Sequence, residues 1–420
     1  MRPTPLSTQQ VGVELSTVRL GPAAGGGRAA EKRGAKPRLY VLDGLRLLAA
    51  LAVVFWHYTG YQRHPAMWGG DSSRIVPEFS SWAAYGWSGV ELFFLISGFV
   101  ICMSAWGRTV GEFFVSRVVR LFPAYWVCLL ITSAVVLTTR PTWMWNIDRF
   151  HYTDVLTNLT MLQNGVGGAM DIDPVYWTLW IELRFYVLFA VLVALGQLTY
   201  RRVVMFCAVW TLGAVAAAVS GWAVLDLVFD PEYAPLFIAG IAMYLIHRFG
   251  PDLLLWGVVG LNWLLAQHRM LQIVSGYQTD AGHRLSFTLC FGIVSASFLV
   301  MIAAALGRLD RIRGRWIVAA GALTYPLYLL HEEIGWLVIS ELHTRMNPYL
   351  LVLSLVGVML LASWLVHRLV ERPLAGVLKR RLTAALERAR RIDAGEPEQI
   401  WSKAAALTCE PAADPRGAGS

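Results

Sequence analysis

The chain has 420 residues, of which 56% are hydrophobic and only 15% charged, with a mean hydropathy of +0.51. That balance excludes a water-soluble globule and a disordered chain, and long apolar runs recurring from about residue 39 to residue 370 make it a polytopic membrane protein. The net charge of +8 comes largely from Lys and Arg flanking the apolar segments, so it reports membrane topology and argues for the lipid bilayer, not nucleic acid, as partner.

Residues 1–37 are polar, rich in Gly and Pro, and end in the basic run E-K-R-G-A-K-P-R. They read as a disordered cytoplasmic tail with no cleavable signal peptide. From there the fold class is all-α, with about ten transmembrane helices expected near 39–60, 86–106, 118–138, 175–197, 203–225, 234–247, 252–267, 285–306, 316–340 and 349–370. The sixth and seventh are short. Placing both termini in the cytoplasm puts the denser basic clusters inside (Arg117 and Arg120, Arg201 and Arg202, Arg308 to Arg315, Lys379 to Arg381) and the sparser ones, such as Arg74, Arg140 and Arg269, outside. The expected location is the inner, or cell, membrane. Two long outer loops hold Trp68, Trp82, Trp143, Trp145 and Tyr152, which read as an interfacial aromatic belt or as rings that stack on a sugar. Residues 376–420 form a cytoplasmic tail, first the basic amphipathic stretch L-K-R-R-L-T-A-A-L-E-R-A-R-R, expected on the inner leaflet, then a disordered end. Cys102, Cys128, Cys207 and Cys290 lie in apolar runs and Cys409 in the polar tail. None has metal-type spacing, and no metal is expected.

Ionisable groups inside these spans carry the functional signal. The first span, L-D-G-L-R-L-L-A-A-L-A-V-V-F-W-H, holds Arg46 and His57 eleven residues apart, which is three helical turns and about 20°, on one face and about 16 Å apart along the axis. Glu91 and Ser97 belong to the second span, in G-V-E-L-F-F-L-I-S-G-F. Glu182 and Tyr186 follow in the fourth, and Tyr325, Tyr328 and His331 recur every third residue in the ninth. Singly, each could be a polar residue satisfied between packed helices. Clustered around one depth, they argue for a site. Arg117 and Arg120, at the inner mouth of the third span, suit phosphate groups but also follow from positive-inside bias.

The ordered set L-D-G-L-R with His57 eleven residues on, G-V-E-L-F-F-L-I-S-G-F, R-V-V-R-L-F-P-A-Y, W-T-L-W-I-E-L-R-F-Y, L-T-Y-P-L-Y-L-L-H and E-R-P resembles the acyltransferase 3 family of integral-membrane O-acyltransferases, over roughly residues 38–375. The resemblance implies ten transmembrane helices, an acyl-CoA donor (acetyl-CoA foremost) taken from the cytoplasm with no permanently bound cofactor, and a hydroxyl acceptor. That acceptor would be a sugar, polysaccharide or glycolipid, or a macrolide-type secreted product. Glu91 stands where Asp is frequent in the family. Residues 38–375 are then the transmembrane acyltransferase domain. Its chemistry needs a base for the hydroxyl proton, oxyanion stabilisation and a polyanion site. His57 is the expected base, with Glu91 and Glu182 as catalytic carboxylates and Arg46, Arg117 and Arg120 binding the donor. Direct attack by the acceptor and an acylated His57 both remain open. A proton-coupled or anion transporter would use the same buried His, Arg and Glu residues, but the internal repeats common in transporters are not evident. A noncatalytic partner in glycan assembly is a third reading.

Overall fold

The computed structural model describes residues 39–62, 67–140, 151–165, 169–282 and 284–394, all without a strand. The expected N-terminal tail, the end of the C-terminal tail from residue 395, Trp143, Trp145 and Cys409 lie outside these residues. The long helices are α1 (Tyr40–Phe55), α2 (Gly89–Ala105), α3 (Val110–Thr139), α4 (Trp177–Ala194), α5 (Tyr200–Ser220), α6 (Ala234–Phe249), α7 (Leu253–Ala281), α8 (Phe287–Ala305), α9 (Arg315–Leu342), α10 (Pro348–Val366) and α11 (Arg372–Asp393). Each of the ten expected spans coincides with one of α1 to α10. Among the described residues, seven helices are long and apolar enough to cross a membrane, and the chain is a multi-pass membrane protein. The other three depart for separate reasons. Helix α6 has 16 residues, and the apolar runs of α7 and α9 are interrupted by groups such as Arg269, Glu332 and Glu333.

The boundaries follow local chemistry. Thr109 and Glu112 form a reciprocal capping box at the start of α3, and Asp252 caps α7 by accepting from Leu255 N at 2.9 Å, each satisfying amide donors that have no partner inside the helix. Helix α7 runs to Ala281, well past the expected 267. Arg269, expected in an outer loop, therefore lies inside it. Gln267 and Arg269 on its buried face are paired across the bundle, so they do not end the helix.

Helix α6 is the centre of the bundle, with every residue from Ala234 to Ile246 buried. It meets α2 backbone to backbone. A Cβ on Gly98 would stand 2.1 Å from Phe237 O, and a Cβ on Gly240 would stand 2.1 Å from Leu95 O. Reciprocal glycines let two helices approach this closely where lipid supplies no hydrophobic drive. On the other side of α2, α1 packs between α2 and α9, and α9 continues the layer to α3 and α10. Helices α10 and α11 join through a π turn, His367–Glu371. The basic helix α11 rests one face on the start of α3, with Leu386 against Gly111 and Arg390 Nη2 donating to Thr109 Oγ1 at 2.7 Å.

Candidate active site

Helices α1, α2, α3, α4 and α9 leave a partly open cavity between them, about 780 Å³ with the solvent space at its mouth included. Arg46, Ser97, Arg117, Arg120, Glu182, Tyr186, Tyr325 and Tyr328 all line it, although they come from five separate helices. On α2 the lining runs from Ile101 to Val90, a rise of about 16 Å. The three arginines lie at the end near Ile101, because Arg46, Arg117 and Arg120 sit in the early turns of α1 and α3, beside the last turn of α2. Thr178 and Tyr328 close the other end.

None of these arginines has a carboxylate within 4.0 Å among the described residues. Arg117 donates from Nη2 to Ser104 Oγ at 3.1 Å and Ser116 Oγ at 2.9 Å, and its guanidinium lies 5.6 Å from the Tyr186 ring centroid. Its Nε is buried with no partner. Glu182 is the carboxylate of the cavity wall and accepts from the Tyr186 hydroxyl and from Ser97 Oγ at 3.3 Å. Three guanidinium groups facing one occupied carboxylate give this end of the cavity an excess of positive charge and of N–H donors, the chemistry that suits a multivalent anion.

His57, Glu91 and His331 are absent from the cavity lining. His57 sits in a π turn, Trp56–Gly60, that ends the first span and closes with Tyr61 N donating to Trp56 O at 2.8 Å. The first span therefore does not end as a regular α-helix, and His57 does not share the cavity that Arg46 lines. The carbonyls it exposes are held from outside. Trp336 Nε1 donates to His57 O at 2.9 Å, Trp68 Nε1 to Tyr58 O at 2.8 Å, and Ser72 Oγ to Thr59 O at 2.7 Å.

His57 meets His331 instead. His57 Nδ1 lies 2.9 Å from His331 Nε2, and His331 Nδ1 lies 2.9 Å from Tyr328 O. A carbonyl only accepts, so His331 Nδ1 carries the proton and its Nε2 is the acceptor. His57 Nδ1–H is then the donor, which leaves His57 Nε2 with a free lone pair. His331 is fully buried, whereas the His57 side chain keeps 14% of its surface exposed and has Glu332 Oε1 3.6 Å from Nε2. Tyr328 links the two regions, lining the cavity with its ring while its carbonyl orients His331.

Glu91, expected beside His57, is held elsewhere. Arg269 Nη1 donates to its Oε1 at 2.6 Å, and Arg269 Nη2 reaches Glu232 Oε1 at 2.8 Å. A buried guanidinium captures this carboxylate because neither charge can be left alone in the bundle. The carboxylate that faces His57 is Glu332, directly after His331 in L-L-H-E-E. Its signal in the sequence is that adjacency, an acidic pair continuing a motif inside an apolar span.

A family model described as an acyltransferase domain matches residues 39–368, the same stretch that supplies the cavity and the histidine pair. The chain belongs to the acyltransferase 3 family. Among proteins similar to it, the acyltransferase MdmB of Streptomyces mycarofaciens is 26% identical over 389 residues, covering 83% of this chain and 94% of the relative. Nodulation protein 10 of Rhizobium leguminosarum bv. viciae is 29% identical over 188 residues, 41% of this chain and 48% of the relative. YrhL of Bacillus subtilis, named as a candidate peptidoglycan O-acetyltransferase, is 25% identical over 217 residues, 46% of this chain and 29% of the relative. No solved structure matches the chain. As a member of the acyltransferase 3 family, the protein is a multi-pass membrane acyltransferase.

Proposed function

We propose that the protein transfers an acyl group, acetyl foremost, from cytoplasmic acyl-CoA to a hydroxyl of a sugar, glycoconjugate or secreted natural product. One observation carries this reading. A cavity with three unpaired arginines at one end runs about 16 Å towards the residue whose carbonyl orients the His57–His331 pair. That length suits the extended pantetheine arm of CoA, with the phosphates on Arg46, Arg117 and Arg120 and the thioester at the Tyr328 end. The topology belongs to the same proposal: α1 to α10 all cross the membrane, with both termini in the cytoplasm and the arginine end of the cavity facing it.

In the reaction, His57 Nε2 takes the proton of the acceptor hydroxyl as its oxygen attacks the thioester carbonyl. The O–H bond breaks, N–H and C–O bonds form, and the tetrahedral intermediate carries its charge on the former carbonyl oxygen. Collapse breaks the C–S bond, and His57 Nε2–H returns the proton to the thiolate, giving ester and free CoA. His331 fixes the tautomer that leaves Nε2 available. No lasting cofactor takes part in this scheme. The test is release of free CoA by the purified protein with acetyl-CoA and candidate acceptors, with the product identified by mass spectrometry. Acceptor-dependent CoA release is expected. Its absence across sugars, glycolipids and macrolides, from a folded protein that binds acetyl-CoA, would contradict the reading.

A further inference from the structure

Three acidic side chains, Asp173, Glu332 and Glu333, are buried beside the histidine pair, with relative exposures of 0%, 3% and 3%. Asp173 caps the short 3-10 turn before α4, where its Oδ1 accepts from Val175 N at 3.3 Å, while Glu332 and Glu333 belong to α9. The Asp173 and Glu332 carboxyls are neighbours in one buried acidic cluster. Asp173 Oδ2 and Glu332 Oε2 are both buried without a hydrogen-bond partner. The nearby phenols do not fill this gap. Tyr58 OH donates to His331 O at 2.9 Å, Tyr176 OH to Leu329 O at 3.2 Å and Tyr328 OH to Val175 O at 3.2 Å. No Arg or Lys among the described residues forms an ion pair with any of the three acids.

Two facing carboxyls in a dry site cannot both ionise, so they hold a proton between them and carry one negative charge. Burial pushes the Asp173 carboxyl upward, in keeping with a retained proton. The group positioned to balance the remaining charge is His57, whose Nε2 lies 3.6 Å from Glu332 Oε1, and it does so only when protonated at that nitrogen.

We infer that Asp173 and Glu332 form a proton-sharing pair whose single negative charge stabilises the imidazolium of His57, making Glu332 the positioning carboxylate of the transfer reaction and Asp173 its support. This rests on the acyltransferase reading for its consequence in catalysis, and on geometry alone for the electrostatic coupling. During transfer the shared proton stays within the pair. The proton that moves is the acceptor's, from its hydroxyl to His57 Nε2 and on to the leaving thiolate.

The experiment compares wild type with Glu332→Gln, Glu332→Asp and Asp173→Asn, each checked for folding by thermal unfolding. With acetyl-CoA and a productive acceptor, Glu332→Gln is expected to lower kcat by about 100-fold while the KM for acetyl-CoA stays within about twofold, because the donor phosphates bind at the other end of the cavity. Glu332→Asp should recover part of kcat. Asp173→Asn, whose amide can donate to Glu332 and keep it charged, should lose less kcat than Glu332→Gln, and a loss equal to that of Glu332→Gln would remove the shared proton from the pair. A second readout needs no acyl transfer: the pH profile of His57 carbethoxylation by diethyl pyrocarbonate, followed by mass spectrometry. The reagent attacks neutral imidazole, so labelling of Glu332→Gln should persist to lower pH than that of wild type. Identical pH profiles of labelling, or a Glu332→Gln enzyme with wild-type kcat, would overturn the inference. Changed labelling in a protein that releases no CoA would leave the pair standing and sink the transferase reading instead.

Discussion

At the scale of single residues, groups that resemble one another in sequence meet different surroundings. Glu91 and Glu332 are both carboxylates inside apolar helices, but one is paired with Arg269 at 2.6 Å and the other faces His57 at 3.6 Å. Glu91→Gln is therefore expected to destabilise the protein by about 2 kcal/mol or more, since it leaves Arg269 buried with only the half-exposed Glu232 as counter-charge. The same variant should leave kcat of the folded fraction within a few-fold, as thermal unfolding and steady-state kinetics will show. His331→Ala should behave in the opposite way, lowering kcat by about 10 to 100-fold with little change in donor KM, because it frees His57 to adopt the wrong tautomer. Part of this arrangement was legible in the chain. Arg46, the R-V-V-R pair and the motifs of α4 and α9 converge on one cavity because helix periodicity is a local property. The partners of Glu91 and His57 were not legible, since Arg269 is 178 residues from Glu91 and His331 is 274 from His57, and no local pattern reports such contacts.

At the scale of elements, two departures from ideal helices place the site. The π turn at His57 depends on indole and hydroxyl donors from Trp336, Trp68 and Ser72, so a straight-helix projection of the first span cannot anticipate the direction of the imidazole. The contact between α2 and α6 depends on Gly98 and Gly240. Gly98→Val would drive a side chain into the Phe237 carbonyl, where even a Cβ stands at 2.1 Å, and overpacking against backbone costs about 3 kcal/mol or more. Yield of monodisperse protein and its unfolding temperature should both fall. Gly257→Ala on α7 is the contrasting case, because its Cβ would meet nothing within 4 Å. There the helix should gain about 0.5–1 kcal/mol, read as a rise in unfolding temperature. The length of α7 was hidden for a related reason. Gln267 and Arg269 interrupt its apolar run, and only their partners across the bundle, such as Ser295 and Glu91, make them compatible with a helix interior.

At the scale of the whole molecule, the proposal requires a donor on one side of the membrane and a histidine nearer the other. Arg74 and Ala385, both exposed, lie at opposite ends of the proposed topology. Single cysteines at these positions, in a background with Cys409 replaced by Ser, should react with a membrane-impermeant maleimide from opposite faces of sealed vesicles. Cys102, Cys128, Cys207 and Cys290 are buried and should stay silent. Same-side labelling would remove the ten-span arrangement and, with it, the assignment of the arginine end to the cytoplasm. The central claim is that donor binding and proton transfer occupy separate ends of one path, and paired kinetics of His57→Gln and Arg120→Ala test it most directly. His57→Gln is expected to lower kcat by about two to four orders of magnitude with donor KM nearly unchanged, while Arg120→Ala raises donor KM and spares kcat. A folded His57→Gln enzyme turning over at the wild-type rate would contradict the account.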